Sequence, residues 1–305
     1  MKHSVLAGIL SFLSLALPAQ DDLLAGLESE AKPRTEYAFA TFKGTKLVNM
    51  QTNELPAQGV LQYSILHRFG AFNDDFFYNF LGLDNAQVRL TLDYSFFDWL
   101  NVGLGHTGFL KTYDGFAKVR LARQSKGQKS FPVSVTAFSG IYYSAQRYND
   151  DLPRNTSDRF SYVHELIVTR KINQDLSLGL VPTVVHFNLV ETRADHNDVL
   201  ALGFLGRYKF TKQHAITLEY VHQFNPNSFA DPLTGEPRPY ENALSLGVDI
   251  ETGGHVFQLF LTNSRGVAEP YVIAQTPGSW ADGDIHFGFN ISRVFTIVRP
   301  KTFQE

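Results

Sequence analysis

The chain has 305 residues, a net charge of −3, 44% hydrophobic residues and no cysteine. Basic residues are scattered singly, so there is no nucleic-acid footprint. Without cysteine there can be no disulfide, thiolate metal site, cysteine nucleophile or lipidated N-terminal cysteine.

Met1 to Ala19 has a basic start (Lys2, His3), an apolar core (Val5 to Leu17) and a small residue at Ala19. That pattern predicts a cleaved secretory signal, 1–19, with the mature chain starting at Gln20. A membrane helix competes with this reading, but the run is short for a span and Asp21-Asp22 follows at once. Residues 20–58 read as a periplasmic or luminal segment: an acidic stretch (DDLLAGLESEAKP), then weak alternation over 36–50 that Lys43-Gly44-Thr45 interrupts and Pro56 closes. No later apolar run is long enough for a spanning helix, so residence in a membrane requires a barrel.

From Gly59 the pattern is regular. In Asn242 to Asn263, Leu244, Leu246, Val248 and Ile250 alternate with Ser245, Gly247, Asp249 and Glu251; Gly253-Gly254 turns the chain, and Phe257, Leu259 and Leu261 alternate again. Period two with a Gly-Gly turn is an antiparallel hairpin. The same unit predicts strands at 59–69, 85–97, 99–110, 115–124, 131–145, 159–172, 175–189, 198–211, 214–225, 242–252, 255–264 and 284–297. The fold class is therefore an all-β, transmembrane, antiparallel up-and-down barrel over 59–297, of about twelve strands, with fourteen as the alternative and 298–305 as a tail. A periplasmic β-sandwich shares the composition of 13 Tyr, 26 Phe and 23 Gly, but its strands are shorter and lack this uninterrupted repeat. Connections are expected to alternate strictly: short near Phe97-Asp98, 173–175, 211–214 and 253–254, long at 71–84, 146–158, 190–197, 226–241 and 265–283. Short periplasmic turns and long external loops give that asymmetry, and two periplasmic termini require an even strand number.

Several runs carry a resemblance: Thr41-Phe42-Lys43-Gly44-Thr45, His67-Arg68-Phe69-Gly70, Lys111-Thr112-Tyr113-Asp114-Gly115, Asn188-Leu189-Val190-Glu191-Thr192, Asp249 to Phe257, and Gly283 to Asn290. Together they resemble an uncharacterised family of bacterial outer-membrane β-barrel proteins, a domain-of-unknown-function family, over nearly the whole mature chain. The resemblance implies location in a bacterial outer membrane and architecture, and no activity.

Strand parity turns Arg68, Arg89, Lys118, Arg120, Arg207 and Lys209 inward with Asp93, Glu165, Glu219, Asp249 and Glu251, beside an inward His286. Such a lumen is either a charged constriction that selects small solutes or a salt-bridge network filling a narrow barrel. Pairing among Arg207, Lys209, Glu219, Asp249 and Glu251 would seal the inner end. His67, His106, His164 and His222 take outward parity near the external ends of their strands, as an amphipathic girdle or as ligands of lipid phosphate or a divalent metal. His186 is expected to point inward. Ser64, Ser95, Ser134, Ser161, Ser177 and Ser245 take inward parity, so no outward serine is expected beside the outward histidines and a lipid-interface hydrolase lacks its nucleophile. Aromatic loops Phe72 to Phe80 and Pro270 to Trp280 stack on sugars, fold inward, or pack on each other over the mouth.

The expected function is a passive channel or binding barrel for small polar solutes, with outer-membrane lipid around it. The alternatives are a sealed docking barrel holding a periplasmic or surface protein or a lipid and, behind it, a lipid-interface enzyme. No catalytic residue, metal site or cofactor is expected, and no nucleic acid.

Overall fold

A computed structural model of the chain describes residues 34–73, 77–80, 82–147, 154–231, 234–252 and 255–299. The expected signal at 1–19 and most of the tail fall outside them. The strands in chain order are β1 (Thr35–Tyr37), β2 (Val60–Ala71), β3 (Gln87–Phe97), β4 (Leu100–Thr107), β5 (Thr112–Ala122), β6 (Ser125–Gly127), β7 (Ser134–Ser144), β8 (Phe160–Lys171), β9 (Leu176–Phe187), β10 (Asp198–Lys209), β11 (His214–Gln223), β12 (Ser228–Ala230), β13 (Pro237–Pro239), β14 (Leu244–Thr252), β15 (His255–Thr262) and β16 (His286–Thr296). The one α-helix among the described residues is α1 (Glu269–Ala274).

Twelve of these strands, all but β1, β6, β12 and β13, form one closed antiparallel barrel. Closure is between the last strand and the first, β16 against β2, with Ser292 opposite Ser64 and Thr296 opposite Val60. A closed wall leaves no unpaired edge, which a sheet surrounded by lipid cannot tolerate. The fourteen-strand alternative is excluded, because residues 34–58 add nothing to the wall.

The alternation is inverted relative to a water-soluble protein. In β3, Arg89, Thr91, Asp93 and Ser95 are buried while Leu90, Leu92 and Phe96 are exposed. Leucines outside and charges inside are stable only where lipid lies outside. Gly59 N–H donates to Ser95 C=O and Val298 N–H to Gly59 C=O, so both chain ends and the 98–99 turn share one end of the barrel, called here the terminal end. The opposite, loop end carries the connections 72–86, 145–159, 188–197, 224–243 and 263–285. The expected strict alternation of connection lengths fails twice. The loop-end connection between β4 and β5 is the tight 108–111 turn, and the terminal-end connection between β5 and β7 spans 123–133 because β6 within it pairs with β1.

Two segments fill the barrel. From the terminal end, residues 41–55 turn into the lumen as a compact hairpin closed by Leu47 N–H to Met50 C=O at 3.0 Å and Thr52 N–H to Thr45 C=O at 2.9 Å. Phe42, Leu47, Val48, Asn49, Met50 and Gln51 are all buried. From the loop end, 263–285 dips inward and all six residues of α1 are buried.

The interior wall has two arcs. Strands β8 to β10 present Val163, Ile167, Val181, Val185, Val199 and Leu205, which pack with Leu47 and Met50 of the hairpin and Val272 and Ile273 of α1. Strands β14 to β16 and β2 to β5 present mostly polar side chains, among them Gln258, Asn290, Arg68, Arg89 and Lys118.

Barrel closure generates a stability prediction. Gly59 has φ +77°, and a Cβ there would lie 2.1 Å from the Val298 carbonyl oxygen. Gly59→Ala should destabilise the barrel by about 2–3 kcal/mol, read as an earlier urea-unfolding midpoint in lipid vesicles. Gly206→Ala, where the nearest atom is at 3.7 Å, should change the midpoint little.

Candidate functional site

The lumen is the candidate site, and Glu219 is its anchor. Buried on β11, its carboxylate accepts three successive backbone N–H groups of the hairpin: Val48 at 3.2 Å, Asn49 at 2.9 Å and Met50 at 2.9 Å. Asn49 Nδ2 adds a fourth bond at 2.7 Å to the other oxygen. Consecutive amides converging on one anion form a backbone nest, here with the anion supplied by the wall. The orientation of Asn49 is fixed on both sides: Nδ2 also donates to Ser245 Oγ at 2.9 Å, and Oδ1 accepts from Arg68, whose guanidinium lies 4.3 Å over the Phe260 ring.

The hairpin's carbonyls are met in the same way. Asn290 Nδ2 donates to Val48 C=O at 2.8 Å, and Lys118 Nζ donates to Thr45 C=O and Glu54 C=O, each at 3.0 Å. A buried peptide group left unpaired costs about 1–3 kcal/mol. These lumen side chains therefore substitute for the partner strand that the hairpin lacks.

A second junction joins the two inserted segments. Glu269 of α1 accepts from Arg89 and Tyr142 at 2.8 Å each and from Gln51 at 2.8 Å, and pairs with Lys46. Arg89 reaches Asp114 on its other side at 2.8 Å. Burial pushes the Glu269 carboxyl up, but Arg89 and then Lys46 outweigh it and hold it well below the usual carboxylate range. At the terminal end, Arg207 bridges Asp249 at 3.2 Å and Glu251 at 2.5 Å, and Lys43 reaches Glu251 at 3.0 Å.

Arg68, Arg89, Asp93, Lys118, Glu165, Arg207, Glu219, Asp249 and His286 are thus buried inside, while Arg120, Lys209 and Glu251 are partly exposed. Asp93 accepts from Asn101 Nδ2 at 3.1 Å, His286 Nδ1 lies 2.9 Å from Phe69 C=O, and both Glu165 oxygens lack a hydrogen-bond partner among the described residues. The pairing expected at the inner end holds for Arg207, Asp249 and Glu251. Glu219 instead binds the hairpin, and Lys209 makes no ion pair among the described residues.

Outside, His67 stacks on Phe289 at 4.7 Å, His106 on Tyr113 at 4.4 Å, and His222 packs edge-on to Phe224 at 5.0 Å. Two expectations need correction. His186 points outward, 6.0 Å from the Tyr162 ring and 2.7 Å from Asp198, because Val185 and Phe187 take the buried positions on either side of it. An outward serine does accompany an outward histidine: Ser139 lies directly opposite His164, with Oγ 3.0 Å from Nδ1. No third described residue hydrogen-bonds the imidazole, so the orienting group of a catalytic triad is missing. Of the aromatic loops, the second folds inward, with Tyr271 OH 2.7 Å from Thr112 Oγ1, while Phe77, Tyr78 and Phe80 of the first are exposed.

A cavity of about 30 Å³ lies on the polar arc between the hairpin and Gln62, Ser64, Thr91 and Gln258, room for water alone. Below it a vestibule of 620 Å³ opens at the terminal end between residues 38–57 and the wall.

The family model described as "Membrane bound beta barrel domain (DUF5777)" matches residues 42–295. No curated protein matches the chain. Similar solved structures include the COG4313 outer membrane channel from Pseudomonas putida F1, 12% identical, covering 79% of this chain and 97% of that one, at a TM-score of 0.48. A NanC porin is 8% identical over 78% of this chain and 100% of its own, at a TM-score of 0.47. A KdgM porin is 10% identical over 77% and 99%, at a TM-score of 0.45.

The Glu219 contact predicts how firmly the hairpin is held. Glu219→Gln removes the charge behind four hydrogen bonds, a loss of about 2 kcal/mol or roughly thirtyfold in the population of the released hairpin. The chain has no cysteine, so a Val48→Cys reporter is unique. Maleimide should label it slowly in the otherwise native barrel and faster by that factor beside Glu219→Gln, with the barrel still folded.

Proposed function

Because the chain belongs to the DUF5777 family of membrane-bound β-barrel domains, we propose that it is a bacterial outer-membrane channel for small polar solutes, held shut at rest by its own N-terminal hairpin. The terminal end then faces the periplasm and the loop end the exterior. The observation that carries this reading is the division of the interior into two arcs. The apolar arc anchors the hairpin through Leu47 and Met50. The polar arc, where the water-sized cavity of about 30 Å³ continues toward the vestibule past Thr45 and Gln62, is a closed seam that a modest shift of the hairpin would widen. Polar and charged side chains along the seam favour hydrated solutes over apolar ones. The reading includes no catalytic step: the Ser139–His164 pair has no third group among the described residues, and Glu219, Lys118 and Arg68 are occupied in holding the hairpin.

The second reading is a sealed barrel that docks a protein or lipid partner. The apolar arc favours it, because full withdrawal of the hairpin would wet Val181, Val185 and Leu205 at about 25 cal/mol per Å².

Conductance in a planar bilayer separates the two. The refolded mature protein should be silent or give rare, brief steps, and the same protein lacking residues 20–58 should give steady ion-selective steps, with Glu219→Gln between them. Silence from the truncated barrel, shown to be folded, would favour the sealed reading.

A further inference from the structure

We propose that the terminal-end vestibule is a binding site for a small organic anion, one carrying carboxylate or phosphate groups on a short carbon skeleton. The vestibule has a volume of about 620 Å³ and is lined by two guanidinium groups, Arg120 and Arg123, set three residues apart where β5 leaves the wall. Arg120 donates through Nη1 to the Asp98 backbone carbonyl at 2.7 Å. Arg123 donates through Nη2 to the Ala38 carbonyl at 3.4 Å and lies 4.8 Å over the Tyr37 ring. Each is thus fixed in place by a carbonyl, and neither forms an ion pair with a described carboxylate.

That distinguishes them from Arg89, Arg207, Lys43 and Lys46, each of which meets a carboxylate within ion-pair distance. A guanidinium presents five N–H donors in a fixed fork matched to carboxylate and phosphate. Among the described residues only one donor of each is engaged, which leaves most of both forks open.

The acidic groups nearby do not fill them. Glu54 Oε1 accepts from Thr41 N–H at 2.9 Å, Phe42 N–H at 3.3 Å and Asn53 Nδ2 at 3.2 Å, which commits it to the hairpin. Glu251 is held between Arg207 and Lys43. Asp98 turns its backbone carbonyl, not its carboxylate, to Arg120, and its side chain lies on an exposed turn.

The rest of the wall sets the kind of anion. Phe42, Leu55, Pro56 and Val294 line the same vestibule, offering apolar surface to a carbon skeleton that an inorganic ion would leave uncovered. The site is complete with the hairpin seated, so occupancy requires no open pore and does not depend on the protein conducting.

Isothermal titration of the refolded mature protein in detergent, with citrate as the probe, tests the site directly. Saturable binding that weakens as salt rises is expected, with a loss of tenfold or more in Arg120→Gln/Arg123→Gln. The paired lysine variant, which keeps both charges without the forks, should bind with intermediate affinity. Inorganic phosphate should bind more weakly than citrate. Absence of citrate binding, or citrate binding unchanged in both paired variants when each is folded, would overturn the proposal. Phosphate binding as tightly as citrate would overturn the assignment to an organic anion.

Discussion

A wall that faces lipid carries most of its apolar side chains outward, and most of the charged residues of its strands then end up in the lumen. Those lumen groups then need partners of their own. Here they find them in two pieces of the same chain, which arrive without sheet neighbours and need hydrogen bonds themselves. Glu219 and the amides of Val48, Asn49 and Met50 are the point where the two needs meet. Remove either side and the other becomes a buried, unpaired polar group.

The two inserted segments are not independent. Glu269 of the loop-end helix bonds Lys46 and Gln51 of the hairpin while Arg89 ties it to the wall. Breaking one member of a buried ion-pair network typically costs about 3–5 kcal/mol because the remaining charges are stranded. Displacement of the loop-end segment and displacement of the hairpin are therefore energetically linked. The apolar arc on β8 to β10 adds packing that a water-filled pore would lack, so the inserted segments are held by both kinds of force.

The barrel itself was legible in the sequence because its signal is local and repeated. The alternation in Gln87 to Asp93, for example, needs no knowledge of distant residues. The inward placement of Arg89, Lys118, Glu219 and His286 followed from parity alone. What occupies the lumen was not legible, because it depends on contacts across more than a hundred residues, such as Asn49 with Glu219 and Lys46 with Glu269. The one trace was Lys43-Gly44-Thr45, where strand alternation breaks and a Cβ on Gly44 would lie only 2.8 Å from the Lys46 carbonyl oxygen. Glu269 gave no signal, since it sits in a loop whose aromatics drew attention to surface packing. Ser139 takes the parity opposite to its neighbours Phe138 and Gly140, and the same alternation that turns Ser177 inward on β9 turns His186 outward beside an inward Val185, so both placements were open to parity alone.

The claim on which the rest depends is that the hairpin is seated on Glu219 in the membrane-embedded protein. Amide hydrogen exchange of the refolded protein in lipid vesicles measures this at the residues concerned. Amides of Val48, Asn49 and Met50 should exchange as slowly as those of the surrounding wall strands, and faster when Glu219→Gln is introduced. Exchange of these three amides at the rate of the exposed loops, in a barrel whose strands are protected, would contradict the account.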